Sequence, residues 1–192
     1  MALINALRLP WMRDAAIVAV ATGMRESELF GLRLSQLDLA PQNAWITHEG
    51  AKSKRARSVP LNDDAMSVLE RRARIAKDLV LTREYTRDGG PPRLIEQIDK
   101  RDFARACAAI GIVDFRWHDL RHTWASWHVQ RGTPLMVLKE LGGWETIAMV
   151  QKYAHLAPSH LAWHASTVTF LAQMGEQAQK TPLSEAAQTL AA

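Results

Sequence analysis

The sequence predicts a mainly helical chain carrying one small antiparallel β-sheet, an α+β arrangement. Three observations predict it. Apolar residues recur through most of the chain at the three- and four-residue intervals of helix faces. Two short neighbouring segments, AWITHEG (44–50) and RSVPL (57–61), have strand character instead, joined by the polar, basic AKSKRA. Glycine and proline then punctuate the second half at helix-like intervals. With 192 residues, 47% hydrophobic and 23% charged, the chain can build one sizeable core, and global disorder is excluded.

In order, residues 11–21 form an apolar helix stopped by Thr22-Gly23. A second helical pattern runs through RESELFGLRLSQL, with Leu29, Leu32 and Gln36 on one side. The strand segments form a hairpin or the edge of a three-stranded sheet. Asn62 suits the cap of a helix over Asp63–Ile75, where Met66, Leu69 and Ile75 supply a stripe and Asp63 and Asp64 suit the first turn. TREYTRDGGPPR is a loop by its Gly-Gly-Pro-Pro centre. Helix 95–110 is amphipathic through Ile95, Ile98, Phe103, Ala106 and Ile110, and Gly111 ends it. Helix 118–130 stops before Gly132. Thr133 as cap and Pro134 in the first turn start a short helix to Leu141. Gly142-Gly143 break it, Glu145–Ala154 form another helix, and residues 160–173 a further apolar one. The tail, 174–192, places Leu183, Ala186, Ala187 and Leu190 on one helical face, to dock on its own domain or on a neighbouring copy.

The formal charge of +4 permits a nucleic-acid partner without demanding one. Lys52, Lys54, Arg55 and Arg57 fall within six residues, which reads as a solvated face or a DNA-binding one. The single cysteine, Cys107, excludes an internal disulfide and a thiolate-rich metal site, and its apolar neighbours suit a buried thiol. Arg13 and Asp14 interrupt the N-terminal apolar stretch, so no signal peptide is expected there. No segment approaches the roughly 18 apolar residues of a membrane span, so a cytoplasmic protein is expected.

The chemistry concentrates in WHDLRHTWASW (117–127). His118 and His122 have the HxxxH spacing of a zinc site, but Arg121 shares their face and a guanidinium repels a dication. Phosphate suits these residues better. An arginine offers a planar fork of donors to two phosphate oxygens, and His118 stands at a helix start, where free N–H groups favour an anion. His122 is assigned to support beneath the site. Elsewhere, TGMRESEL places Arg25 at a helix start after a glycine turn, KSKRARSVPL places Lys52 in the turn of the small sheet, and LGGWETIAMVQKYAHL carries Trp144 and Tyr153.

Together these four blocks, in this order, resemble the catalytic domain of the tyrosine recombinases, the phage-integrase family, from about Trp11 to about Pro158. The resemblance implies a catalytic set of Arg25, Lys52, His118, Arg121, Trp144 and the nucleophile Tyr153, with Lys54, Arg55 and Arg57 binding DNA. It implies cleavage and rejoining of double-stranded DNA through a 3′-phosphotyrosyl intermediate, with no metal and no cofactor. Arg25 and Arg121 would neutralise the phosphate, His118 act as base or proton shuttle, and Lys52 protonate the leaving oxygen. It further implies a tetramer on DNA, to which the helix at 183–190 could contribute. The expected layout is a catalytic domain over 1–173 and a tail over 174–192, without the family's N-terminal core-binding domain. The alternatives are a type IB topoisomerase-like strand transferase and a non-catalytic DNA-binding relic.

Overall fold

Helix α1 (Ala2–Ala6) and helix α2 (Pro10–Thr22) open the chain, with Pro10 in the first turn of α2, where a missing N–H costs nothing. The computed structural model describes residues 1–47, 56–83 and 92–157, all within one compact unit, Met1–Ala157. The expected helix over 160–173 and the stripe at 183–190 lie outside the described residues. Helix α2 is the central element. It buries Trp11, Met12, Ala15, Ala16, Val18 and Ala19 and packs against helix α4 (Asp63–Ala73) and helix α6 (Asp119–Gln130). Its buried Asp14 accepts from Arg72 Nε at 2.6 Å and Arg71 Nη2 at 2.7 Å, tying α2 to α4. Gly23 ends α2 at φ 65°, in the left-handed region, and its N–H donates to the Ala19 carbonyl. A Cβ there would lie 2.3 Å from the Trp124 ring, so glycine is required twice, by conformation and by space.

The helical pattern expected from Arg25 onward stops early. Helix α3 spans only Glu26–Phe30. Beyond Gly31 the chain extends, and Leu32 and Leu34 bond to Val80 and Asp78 of a distant segment. A short 3-10 turn and strand β1 (Leu37–Asp38) follow. The segment LRLSQL alternates apolar and polar residues as well as it fits a helix, and pairing partners far along the chain decide between the two. Strands β1, β2 (Asn43–Ile46) and β3 (Arg57–Pro60) form an antiparallel sheet in that order. Its register sets Ala44 opposite Val59 and Ile46 opposite Arg57. Ala44, Ile46 and Val59 face the core, while Trp45 faces out.

Asn62 caps α4 as expected, its side chain accepting from the Ala65 N–H at 3.0 Å. Helix α5 (Lys100–Ala109) starts five residues later than expected. Asp99 is its cap, accepting from the N–H groups of Arg101 and Asp102. Asp102 in turn accepts from the N–H groups of Arg8 and Leu9, fastening α5 to the α1–α2 junction. Cys107 is buried on α5. Helix α7 (Leu135–Gly142) has Pro134 rather than Thr133 at its cap position. The helix expected over Glu145–Ala154 is shorter. Helix α8 covers Ala148–Gln151, and a 3-10 turn takes Ala154–Leu156. Tyr153 sits at the joint between them. It packs in a small second core with Trp124, Ala125, Val129, Leu138 and Val150, beside the main core around α2. Among the described residues, no helix is long and apolar enough to cross a membrane.

Candidate active site

The glycine turn after α2 delivers Arg25 to the start of α3, where it meets Glu28 one turn on. The Arg25 N–H donates to Glu28 Oε2 at 2.9 Å, and Nη1 donates to Oε1 at 2.7 Å. Glu28 is buried, and Arg57 reaches it from β3, with Nη2 donating to Oε2 at 2.8 Å. Burial by itself would raise the Glu28 carboxyl, but Arg57 and Arg25 outweigh it and hold the group below the usual carboxylate range. Arg57 Nη1 also donates to the Leu141 carbonyl at 2.9 Å, so this ion pair ties the sheet to the end of α7.

Arg121 reaches the site from α6. Its guanidinium is buried and donates to the carbonyls of Gly23 and Gly142. Arg25 Nη2 donates to the next carbonyl, Gly143, at 3.1 Å. Two arginines nearly a hundred residues apart are thus held by consecutive peptide units. The glycines permit this. A Cβ on Gly142 would lie 1.9 Å from the Trp144 ring, and Gly143 turns the chain at φ 63° with Arg57 packed against it. The Trp144 ring lies 4.2 Å from Arg121 Cζ, a cation–π contact, and stacks on Trp124 at 6.1 Å between centroids. Burial first, then repulsion from Arg25, lowers Arg121 to about 9, which leaves it charged at neutral pH. Around one carboxylate, then, stand three guanidiniums, an excess of positive charge that favours an anion.

The Tyr153 ring is buried, 6.2 Å from that of Trp144, and Lys152 Nζ lies 5.1 Å from its centre. Its hydroxyl stands 2.5 Å from His122 Nδ1. His118, one turn earlier on α6, meets His122 edge-on at 4.9 Å and is itself exposed. Burial raises the Tyr153 phenol above its ordinary value, and Arg121 only partly offsets this. Burial lowers the His122 imidazole, assisted by Lys152, and partial loss of solvation on its inner side lowers the exposed His118, assisted by Arg121, so both imidazoles are neutral at neutral pH.

The structure therefore brings Arg25, Arg121, Trp144, Tyr153 and the turn carrying His118 into one region. Lys52, Lys54 and Arg55 lie outside the described residues. Arg57 departs from the expected DNA-facing position. Its side chain is only 10% exposed and serves Glu28 and Leu141. Strand alternation carried that signal, since Val59 faces inward and Arg57 shares its parity. Two further groups belong to the site beyond the expected catalytic set. Glu28 was one turn from Arg25 on the same face, a readable ion-pair spacing. His122, expected as support beneath the site, bonds the tyrosine hydroxyl there.

The sequence profile described as the phage integrase family matches residues 2–160. The integrase of Salmonella phage P22 is 43% identical over 163 residues, covering 82% of this chain and 42% of the relative. The tyrosine recombinase XerD of Lacticaseibacillus casei is 34% identical over 158 residues, covering 78% and 53%. The chain thus spans about half the length of the curated relatives it matches. Among solved structures, the catalytic domain of bacteriophage HP1 integrase aligns with a TM-score of 0.61 at 29% identity, covering 97% of this chain and 94% of that one. The XerH site-specific recombinase bound to its difH substrate shares the fold, with a TM-score of 0.62 at 20% identity, covering 86% and 51%.

Proposed function

Because the chain belongs to the phage integrase family, we propose that it is the catalytic part of a site-specific DNA recombinase whose nucleophile is Tyr153. The observation that carries this reading is the meeting of Arg25 and Arg121 on the Gly142 and Gly143 carbonyls, beside Trp144 and the buried tyrosine. A phosphodiester is an anion that repels nucleophiles, and its transition state gathers charge on the non-bridging oxygens. Two guanidiniums held in place before substrate arrives meet that charge without reorganising. Tyr153 attacks phosphorus, giving a 3′-phosphotyrosyl strand and a free 5′-hydroxyl. The covalent bond conserves the energy of the phosphodiester, so rejoining to a new partner needs no ATP.

In this reading Lys52 protonates the leaving 5′-oxygen, and Lys54 and Arg55 grip the DNA backbone. Trp144 packs over Arg121 and offers its indole N–H to the phosphate. His118, exposed at the start of α6, faces solvent and exchanges protons with the site. The arginines and the lysine supply the charge that a metal would otherwise bring. The partner is double-stranded DNA in the cytoplasm, acted on by a tetramer in which the 183–190 stripe takes part. The catalytic domain covers 1–173 and the tail 174–192.

The test is covalent capture on a pool of nicked duplexes with randomised sequence around the nick. The nick lets a short fragment diffuse away and strands the intermediate. Wild type is expected to form a protein–DNA adduct stable to denaturant, and Tyr153→Phe none. An adduct that survives Tyr153→Phe overturns the nucleophile assignment.

A further inference from the structure

We propose that His122, through Nδ1, is the proton acceptor for the Tyr153 hydroxyl, and so a catalytic residue in its own right. The proposal rests on the recombinase reading above. The carrying observation is the 2.5 Å approach of His122 Nδ1 to Tyr153 Oη. Among the described residues, no carboxylate is recorded on that hydroxyl. Lys152 faces the ring rather than the oxygen. His118 touches the edge of His122 instead of the phenol.

A buried phenol held above its ordinary pKa cannot attack as a pre-formed phenolate at neutral pH. Its proton must leave as the bond to phosphorus forms, to a group already in contact. In the step, the Tyr153 O–H bond breaks while Oη–P forms, and the proton passes to His122 Nδ1. The P–O5′ bond breaks, and that oxygen takes its proton from the acid at Lys52. In rejoining, the 5′-hydroxyl attacks phosphorus and gives its proton back to Lys52, Oη–P breaks, and His122 returns its proton to the phenolate. Atoms and charges balance in both directions without a further reactant.

Helix α6 supports this division of labour. Consecutive residues carry the two tasks, Arg121 turned to the phosphate charge and His122 to the nucleophile, and a helical backbone fixes their relative directions. His122 must be neutral to accept. The charged groups acting on it agree. Beyond burial, Lys152 and Arg121 disfavour its imidazolium, as does His118 once protonated at lower pH, and among the described residues Asp119 favours it. Asp119 sits one turn earlier, where it can balance the charge that appears transiently during transfer.

Two measurements on the full chain test this. The first needs no DNA. Nitrogen-15 NMR of the histidines is expected to show His122 with its proton on Nε2 and Nδ1 accepting. A resting Nδ1–H tautomer overturns the proposal. The second is single-turnover adduct formation on the nicked pool, as a function of pH. Wild type is expected to lose rate as pH falls through the His122 titration. His122→Ala is expected to react about 10²-fold more slowly, the usual size of a general-base effect, and to lack that acid limb. His122→Asn can hold the hydroxyl with its amide oxygen but cannot keep the proton, so it is expected to remain slow with unchanged unfolding temperature. A His122→Ala rate within threefold of wild type overturns the proposal, as does full rescue by asparagine, which would reduce His122 to positioning. An absence of adduct in wild type overturns the recombinase reading instead, and the tautomer measurement still decides the hydrogen bond.

Discussion

Replacing Glu28 with glutamine tests the hub of the site. The substitution keeps the shape and removes one charge. In the native protein the Glu28 side chain is fully buried, with Arg25 at 19% exposure and Arg57 at 10% on either side. Glu28→Gln leaves two guanidiniums without their counter-charge in a setting where water cannot replace it. Breaking a buried ion pair by removing one partner costs about 3–5 kcal/mol. Native domains have only about 5–15 kcal/mol in hand, so this is a large fraction. For a chain of this size each kcal/mol lowers the unfolding midpoint by about 2–4 °C, so a fall of roughly 6–20 °C is expected. Thermal and urea unfolding, both at pH 7, measure it. Adduct formation at a temperature where the variant is folded is expected to fall at least tenfold, because Arg25 loses its anchor while keeping its bond to Gly143. A midpoint within about 2 °C of wild type, with unchanged cleavage, would refute the reasoning and make the Glu28 cluster incidental.

Gly142→Ala is expected to drive the Trp144 ring from its place over Arg121, since the new Cβ would lie 1.9 Å from it. Overpacking of this kind costs about 1–3 kcal/mol, and single-turnover cleavage should fall more than the stability does. Acid should destabilise the protein in a stated window. Burial holds His122 and His128 below their ordinary values, and partial desolvation with the nearby Arg121 lowers His118 in the same direction. The unfolded chain therefore binds protons first, from about pH 6.5 downward, and stability present above that pH is lost as it falls. Glu28 and Asp102, both held low in the folded state, add a further loss of the same sign at more acid pH. Urea midpoints measured from pH 8 to pH 4 check this, and a rise on acidification from pH 7 to pH 6 would contradict it.

Much of the local structure was legible because its causes are local. The Asn62 cap, the stop at Gly23 and the helix over 118–130 follow from capping chemistry and periodicity within a few residues. Boundaries failed where distant partners decided them. Leu32 and Leu34 pair with the 78–80 segment and so end α3 early, and Asp99 rather than residue 95 starts α5 because its carboxylate caps there. The apolar neighbours of Cys107 predict its burial, and the thiol is buried.

In the site, the residue types and their spacing came from the sequence alone. Arginine carries a charge and a donor fork wherever it stands, and a helix holds His118 and Arg121 on related faces whatever surrounds it. Which neighbour each side chain meets was decided only by the tertiary structure. Arg57 reads as part of a basic run, but the register of β3 against Ile46 turns it inward to Glu28, 29 residues away. His118 and His122 are equivalent as letters one helical turn apart. The joint between α8 and the following 3-10 turn sets the Tyr153 hydroxyl against the second of them, 31 residues away. Periodicity gives the direction of a side chain within its own element. The partner that waits in that direction depends on how separate elements pack, and no short-range pattern encodes that.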